Sequence, residues 1–184
     1  TPFFHDQQIR EMQSERSELE RELYLQALHK TASMSLMQYE VSNFAKDDFQ
    51  SRSNLKVWDG QPYLGLGCGA HSFDGVNRWG NVRSMRKYME SVGREEPPRD
   101  FMETPTRLQQ ASERLMLSLR RPEGLNILSW QEEFQIGLSL EQKNQMEKLK
   151  DQDLVSWESP ILKLTTEGML LADAITAELM PEAK

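Results

Sequence analysis

The sequence predicts an α/β chain in two parts, and three observations carry that expectation. Up to about residue 93, short strand-like segments alternate with helical ones and with turn dipeptides. Residues 94–105 then change character: Glu95-Glu96-Pro97-Pro98-Arg99-Asp100 is charged, contains prolines and has no apolar periodicity, so it reads as a connector. From residue 106 to 184 the rhythm is three helices, a hairpin and a last helix.

The first part opens with a helical pattern from about Gln7 to His29. Ile9, Met12, Leu19, Leu23 and Ala27 recur at helical spacings, and the intervening charges read as a solvated face. Leu36 to Ser42 reads as a strand. Tyr39 and Glu40 lie inside it, and a carboxylate there is either wet or buried with a partner. Asn43 to Ser53 reads as a polar loop, Asn54 to Trp58 as a short semi-apolar segment, and Asp59-Gly60 as a turn.

Tyr63 to Phe73 is the stretch with the most unusual pattern. Gly65, Gly67 and Gly69 fall at every second position, so in a strand all three point to one face. Such a face is bare, and a flat or bulky group can approach its backbone. His71 continues the alternation and would stand at the end of that face, while Leu64, Leu66, Cys68 and Ala70 would point to the core. The pattern fits either a ligand platform or a tight crossing between packed elements. Gly65-x-Gly67-x-x-Ala70 also matches the dinucleotide fingerprint as a string, but the turn residues Ser72-Phe73-Asp74-Gly75 follow where a helix should open.

Ser84 caps a short helix to Val92 that carries Met85, Tyr88 and Met89. Beyond the connector, Leu108, Ala111, Leu115 and Leu119 line one side of a helix over Thr106 to Arg120. A short helix spans Ile127 to Phe134. Another spans Leu140 to Leu149, with Leu140, Met146 and Leu149 as its apolar positions and Ser139 as its cap. Val155 to Trp157 and Ile161 to Leu164 form a hairpin, and Thr165 or Thr166 caps a final helix to about Met180. This is the element order of a winged-helix unit.

Composition sets limits on partners. The chain has a net charge of −7, and residues 104–184 carry nine Lys and Arg against thirteen Asp and Glu. A nucleic-acid reader needs a basic face, so none is expected as a partner. No apolar run is long enough to span a bilayer, and no charged-then-apolar leader opens the sequence. Cys68 is the single cysteine, which excludes an internal disulfide and a metal cluster held by thiolates of this chain alone, and fits a reducing, cytoplasmic setting.

Three ordered motifs carry a resemblance. Tyr39-Glu40-Val41-Ser42-Asn43-Phe44-Ala45-Lys46, then Asn54 and Trp58, then Tyr63 to Ser72 resemble the oxygen-independent coproporphyrinogen III oxidase-like radical SAM proteins, and within them the haem chaperone branch. Leu164-Thr165-Thr166-Glu167-Gly168 and the helices before it resemble that family's C-terminal domain. The resemblance implies the last part of a partial (β/α) barrel over residues 1–93, a linker over 94–105 and a winged-helix-like domain over 106–184. It implies S-adenosylmethionine and a 4Fe–4S cluster as cofactors of the full-length family, and haem or a porphyrinogen as further ligands. The oxidase members use a radical from that cofactor to decarboxylate porphyrinogen propionates; the chaperone members bind haem.

The family's three-cysteine motif lies upstream and is absent from this sequence, so the missing N-terminal barrel half is an implied partner. Strand edges left by that half could also support oligomerisation. Where haem chaperones carry His-Asn-x-x-Tyr-Trp, this chain has Ser53-Asn54-Leu55-Lys56-Val57-Trp58, without the histidine and the tyrosine. The cofactor contacts expected from match and alternation are Gly65, Gly67, Gly69, Ala70 and His71, with Tyr39, Glu40 and Asn54 as neighbours. The contrasting expectation is a winged-helix interaction module with no chemistry.

Overall fold

The computed structural model describes residues 7–181, which fall into two compact units, one ending at Gln50 and one starting at Ser51. In the first unit, α1 (Gln7–Ala32) is followed by an antiparallel hairpin of β1 (Met37–Glu40) and β2 (Asn43–Ala45). The Thr31 hydroxyl donates back to Ala27 O, and Ser35 adopts a left-handed φ of 58°, so the chain leaves the helix sharply. The Tyr24 hydroxyl donates to Gln38 Oε1 at 3.0 Å, pinning helix to hairpin.

Two expectations change here. Leu19 and Leu23 are more than half exposed, and the half-buried positions are instead Tyr24, Leu25 and Leu28. Ile9 and Met12 lie where side chains are outside the described residues. The start of the expected polar loop is β2, because Asn43-Phe44-Ala45 pairs through its backbone with Met37, Gln38 and Glu40 regardless of side-chain polarity.

The second unit begins with α2 (Arg52–Trp58), capped by the Ser51 hydroxyl accepting from Asn54 N. A three-stranded antiparallel sheet follows, ordered β3 (His71–Phe73), β4 (Arg78–Asn81), β5 (Arg99–Glu103), with α3 (Met85–Gly93) between β4 and β5. The region read as an irregular connector therefore contains a strand. All five β5 residues are exposed, so no alternation marks it, and β4 holds it through backbone pairing. Every described strand pairing is antiparallel, so the parallel ladder that a (β/α) barrel implies is not made among the described residues.

Most of the hydrophobic core lies from residue 107 onward. It comprises α4 (Arg107–Leu119), β6 (Leu125–Asn126), α5 (Ile127–Phe134), α6 (Leu140–Asp151), β7 (Val155–Glu158), β8 (Ile161–Leu164), α7 (Thr166–Leu170) and α8 (Ala172–Leu179). The strands form a small sheet ordered β6-β8-β7. Ala111, Leu115, Leu119, Trp130, Met146, Leu149, Leu162 and Ile175 are buried between these layers. Each large apolar side chain so buried contributes about 1.5–3 kcal/mol. Thr106 with Gln109, and Ser139 with Gln142, form reciprocal capping boxes. Gln142 Nε2 also donates to Leu179 O at 2.9 Å and joins α6 to α8.

Gly168 sits at a close backbone crossing. A Cβ built there would lie 1.9 Å from Leu154 O, so only glycine fits. The expected single last helix is two, because the backbone breaks at Leu171. Leu140 is 75% exposed and does not join the core; it sits in the first turn of α6, ahead of the buried Met146 and Leu149.

Arg78 couples the sheet to the helical layer. Its guanidinium donates to Glu103 and to Glu113 of α4, both at 2.5 Å. Arg121 pairs with Asp59 after α2, and Arg120 with Asp173 of α8.

Candidate functional site

The glycine stretch is a shaped loop, not a strand. Tyr63 makes an isolated antiparallel bridge with Phe73, and regular pairing resumes only at His71. Gly67 and Gly69 have φ of 101° and 70°, left-handed values that an extended strand excludes and that favour glycine. The single bare face inferred from alternation does not form. Leu64 and Leu66, read as core, are 70% and 82% exposed because the loop turns them outward.

The loop is held from beneath by side chains that the sequence pattern did not single out. Gly65 N donates to the Ser72 hydroxyl at 2.9 Å, and Gly67 N donates to the Tyr88 hydroxyl at 3.1 Å. Asn81 Nδ2 donates to Gly67 O at 2.9 Å and more weakly to Gly65 O at 3.4 Å. The backbone adds Asn81 N to Ala70 O at 2.9 Å and Gly69 N to Val82 O at 3.0 Å. Ser72 and Asn81 are buried. A buried hydroxyl and amide in short strands signal a polar anchor, since such groups are costly to bury unpaired.

The three glycines have three different surroundings. A Cβ on Gly65 would lie 2.1 Å from His71 O, so this residue is a close backbone crossing. A Cβ on Gly69 would rest 3.8 Å from Arg83 Cγ. A Cβ on Gly67 would have nothing within 4 Å. The tight crossing is thus made at Gly65, while the Cβ position of Gly67 is open.

His71 opens β3 with an exposed side chain, whereas its neighbour Ser72 faces inward. The register His71–Gly80–Phe101 runs across the three strands. With no side chain on Gly80, the His71 and Phe101 rings meet edge to face at 5.5 Å between centroids. At the other end of β4, Glu103 first and then Glu113 hold the Arg78 guanidinium above its ordinary pKa. In the β3–β4 turn, amide hydrogen bonds from Asn77 and then Val76 hold the Asp74 carboxyl below its ordinary range.

Asn54 is half-buried in α2, with Ser53 exposed and Val57 39% exposed on the same helix. Tyr39 and Glu40 belong to the hairpin of the other unit. Glu40 is 1% exposed and its Oε1 has no hydrogen-bond partner. A buried carboxylate oxygen without a donor costs several kcal/mol, on the order of a lost charge-assisted hydrogen bond or more. Separate from the glycine loop, a cavity of about 850 Å³ lies between the α6 N-terminus and the end of α8, lined by Leu108, Gln135, Ser139 and Met180 among others. Among the described residues no cluster of His, Cys, Asp and Glu could hold a metal ion, and no helix is long and apolar enough to cross a membrane.

Several known proteins are similar to this chain. The heme chaperone HemW of Bacillus subtilis is 30% identical over 166 residues, covering 90% of this chain and 44% of that protein. The heme chaperone HemW of Mycobacterium tuberculosis is 31% identical over 142 residues, covering 77% and 34%. Radical S-adenosyl methionine domain-containing protein 1, mitochondrial, of Danio rerio is 29% identical over 160 residues, covering 79% and 35%. Among solved structures, coproporphyrinogen III oxidase (HemN) from Escherichia coli, described as a radical SAM enzyme, superposes with a TM-score of 0.67 at 16% identity, over 85% of this chain and 39% of that one. That likeness is one of fold. The chain spans less than half the length of the curated relatives it matches. No protein-family model matches it.

Proposed function

We propose a pocket-completing role for this chain, which is homologous to the HemW heme chaperones and the radical SAM enzyme HemN and corresponds to their C-terminal part. Residues 1–93 would be the closing segment of a partial (β/α) barrel, residues 94–105 its exit, and residues 106–184 a winged-helix-like domain packed on it. The helix, hairpin and helix order from residue 107 onward supports the last assignment. The preceding barrel half would supply the parallel strands that are not made among the described residues.

One observation carries the proposal. The loop over Gly65 to Ala70 is fixed by Ser72, Asn81 and Tyr88, yet leaves open space at Gly67. A rigid loop with one uncovered backbone position suits a ligand that must approach closely. Gly65, Gly69, Ala70 and His71 would frame that position, with Asn54 of α2 as the expected neighbour.

S-adenosylmethionine fits the donor set on a separate ground. The Oε1 of Glu40 is a buried acceptor without a partner, and the ammonium group of that cofactor is a donor of matching charge. Glu40 would orient the cofactor, and Tyr39 would flank it. When bound with a 4Fe–4S cluster, the cofactor supplies radical chemistry. The single Cys68 cannot hold such a cluster, so its ligands would come from the preceding barrel half. Haem is the cargo that the chaperone relatives' names indicate.

The test uses the full-length protein with an assembled cluster, to which haem and S-adenosylmethionine are added separately. A Soret shift or cofactor cleavage is expected. The absence of both would refute the proposal. A second reading, a non-catalytic interaction module, draws on Ser53 and Val57 standing where haem chaperones carry histidine and tyrosine. A stable protein partner with no tetrapyrrole bound by any form of the protein would favour it.

A further inference from the structure

We propose that the His71 imidazole is the axial ligand through which this chain holds haem iron, with the Phe101 ring as the wall beside it. The inference rests on the haem-handling reading above and adds the residue that contacts the metal.

Three features of the site support it. His71 is exposed at the start of β3 and, among the described residues, its imidazole makes no hydrogen bond and no ion pair. A neutral imidazole with a free nitrogen lone pair is a haem-iron ligand, and a hydrogen bond accepted at that nitrogen would compete with iron. The Phe101 ring stands edge-on beside it, 5.5 Å between centroids, and offers apolar contact to the rim of a flat macrocycle. Gly80 lies between the two in the sheet register, and a Cβ there would come within 2.4 Å of the Phe101 ring. The bare strand therefore permits this pairing of rings.

Other donors fit less well. The α2 position that carries histidine in haem chaperones is Ser53 here, whose hydroxyl is a poor iron ligand. His29 sits in the last turn of α1, beside Glu22 and Lys30, with charged rather than aromatic neighbours. Cys68 is only half exposed, in the glycine loop itself.

The experiment is a hemin titration of the full-length protein, read by its absorption and electron paramagnetic resonance spectra. Parent protein is compared with His71→Ala, His71→Met, Phe101→Ala, His29→Ala and Cys68→Ser, and circular dichroism confirms that each variant is folded. The parent is expected to give a histidine-ligated spectrum. His71→Ala should weaken binding tenfold or more and lose that signature, and free imidazole should restore it. His71→Met should keep a bound haem with a changed ligand signature, and Phe101→Ala should weaken binding without altering the ligand type. A parental spectrum and affinity in folded His71→Ala would overturn the proposal, as would loss of the signature in His29→Ala or a thiolate spectrum abolished in Cys68→Ser. No hemin binding by the parent also overturns it, while S-adenosylmethionine cleavage by the same preparation would leave the pocket reading standing.

Discussion

Asn81 Nδ2 sits 2.9 Å from the carbonyl oxygen of Gly67, fourteen residues earlier in the chain. That contact, with the weaker one to Gly65 O, fixes a loop whose glycines would otherwise be the least restrained part of the unit. Asn81→Ala should remove both and destabilise the second unit by about 1–2 kcal/mol. Amide exchange at residues 65–70 should accelerate well beyond the global change. Unchanged protection there would show that Ser72 and Tyr88 suffice.

Gly168→Ala places a methyl group against Leu154 O and the Leu164 side chain. Backbone atoms cannot rotate aside, so the hairpin and α7 must separate. A loss of about 1–3 kcal/mol or more is expected from such overpacking. Chemical denaturation followed by fluorescence of the buried Trp130 measures it. The same substitution at Gly93, where a Cβ meets nothing within 4 Å, is the comparison and should change stability far less.

Arg78 ties Glu103 of the sheet to Glu113 of α4. All three side chains are about one-third to one-half exposed, so screening keeps the contribution small. A double-mutant cycle of Arg78→Met with Glu113→Gln should give a coupling of about 0.5–1 kcal/mol that shrinks as salt rises. Coupling that ignores salt would point to apolar packing of the arginine stem instead.

Asp74 makes the β3–β4 turn sensitive to acid. Hydrogen bonds from Asn77 N and Val76 N lower its carboxyl pKa in the folded state. The ionised form therefore contributes stability that is fully present above the unfolded value of about 4, and is lost as pH falls through the lower folded value. The Val76 and Asn77 amide resonances should shift across that acid window and stay flat near neutrality. Asp74→Asn should remove the transition.

The chain from Thr106 onward was largely legible in the sequence because helical periodicity, hydroxyl caps and a turn-bounded hairpin coincide there. Thr106, Ser139 and Thr165 cap the helices they precede, and Ala111, Leu115 and Leu119 are buried as their spacing implies. The candidate site was legible only as a location. Glycines at alternate positions imitate strand periodicity, yet Gly67 and Gly69 occupy left-handed backbone regions, and the groups that fix the loop come from Ser72, Asn81 and Tyr88. Strand β5 left no pattern because both its faces are exposed, and β2 left none because three residues are too few to alternate.

The most direct test of the pocket reading compares S-adenosylmethionine binding, by calorimetry, between the full-length cluster-loaded parent and its Gly67→Val variant. A valine there enters space that is open in this chain, at a φ of 101° that side chains rarely adopt. Binding by the parent and a drop of about tenfold or more in the variant, with Trp130 still reporting a folded core, is the predicted result. Equal affinity in two folded proteins would contradict it.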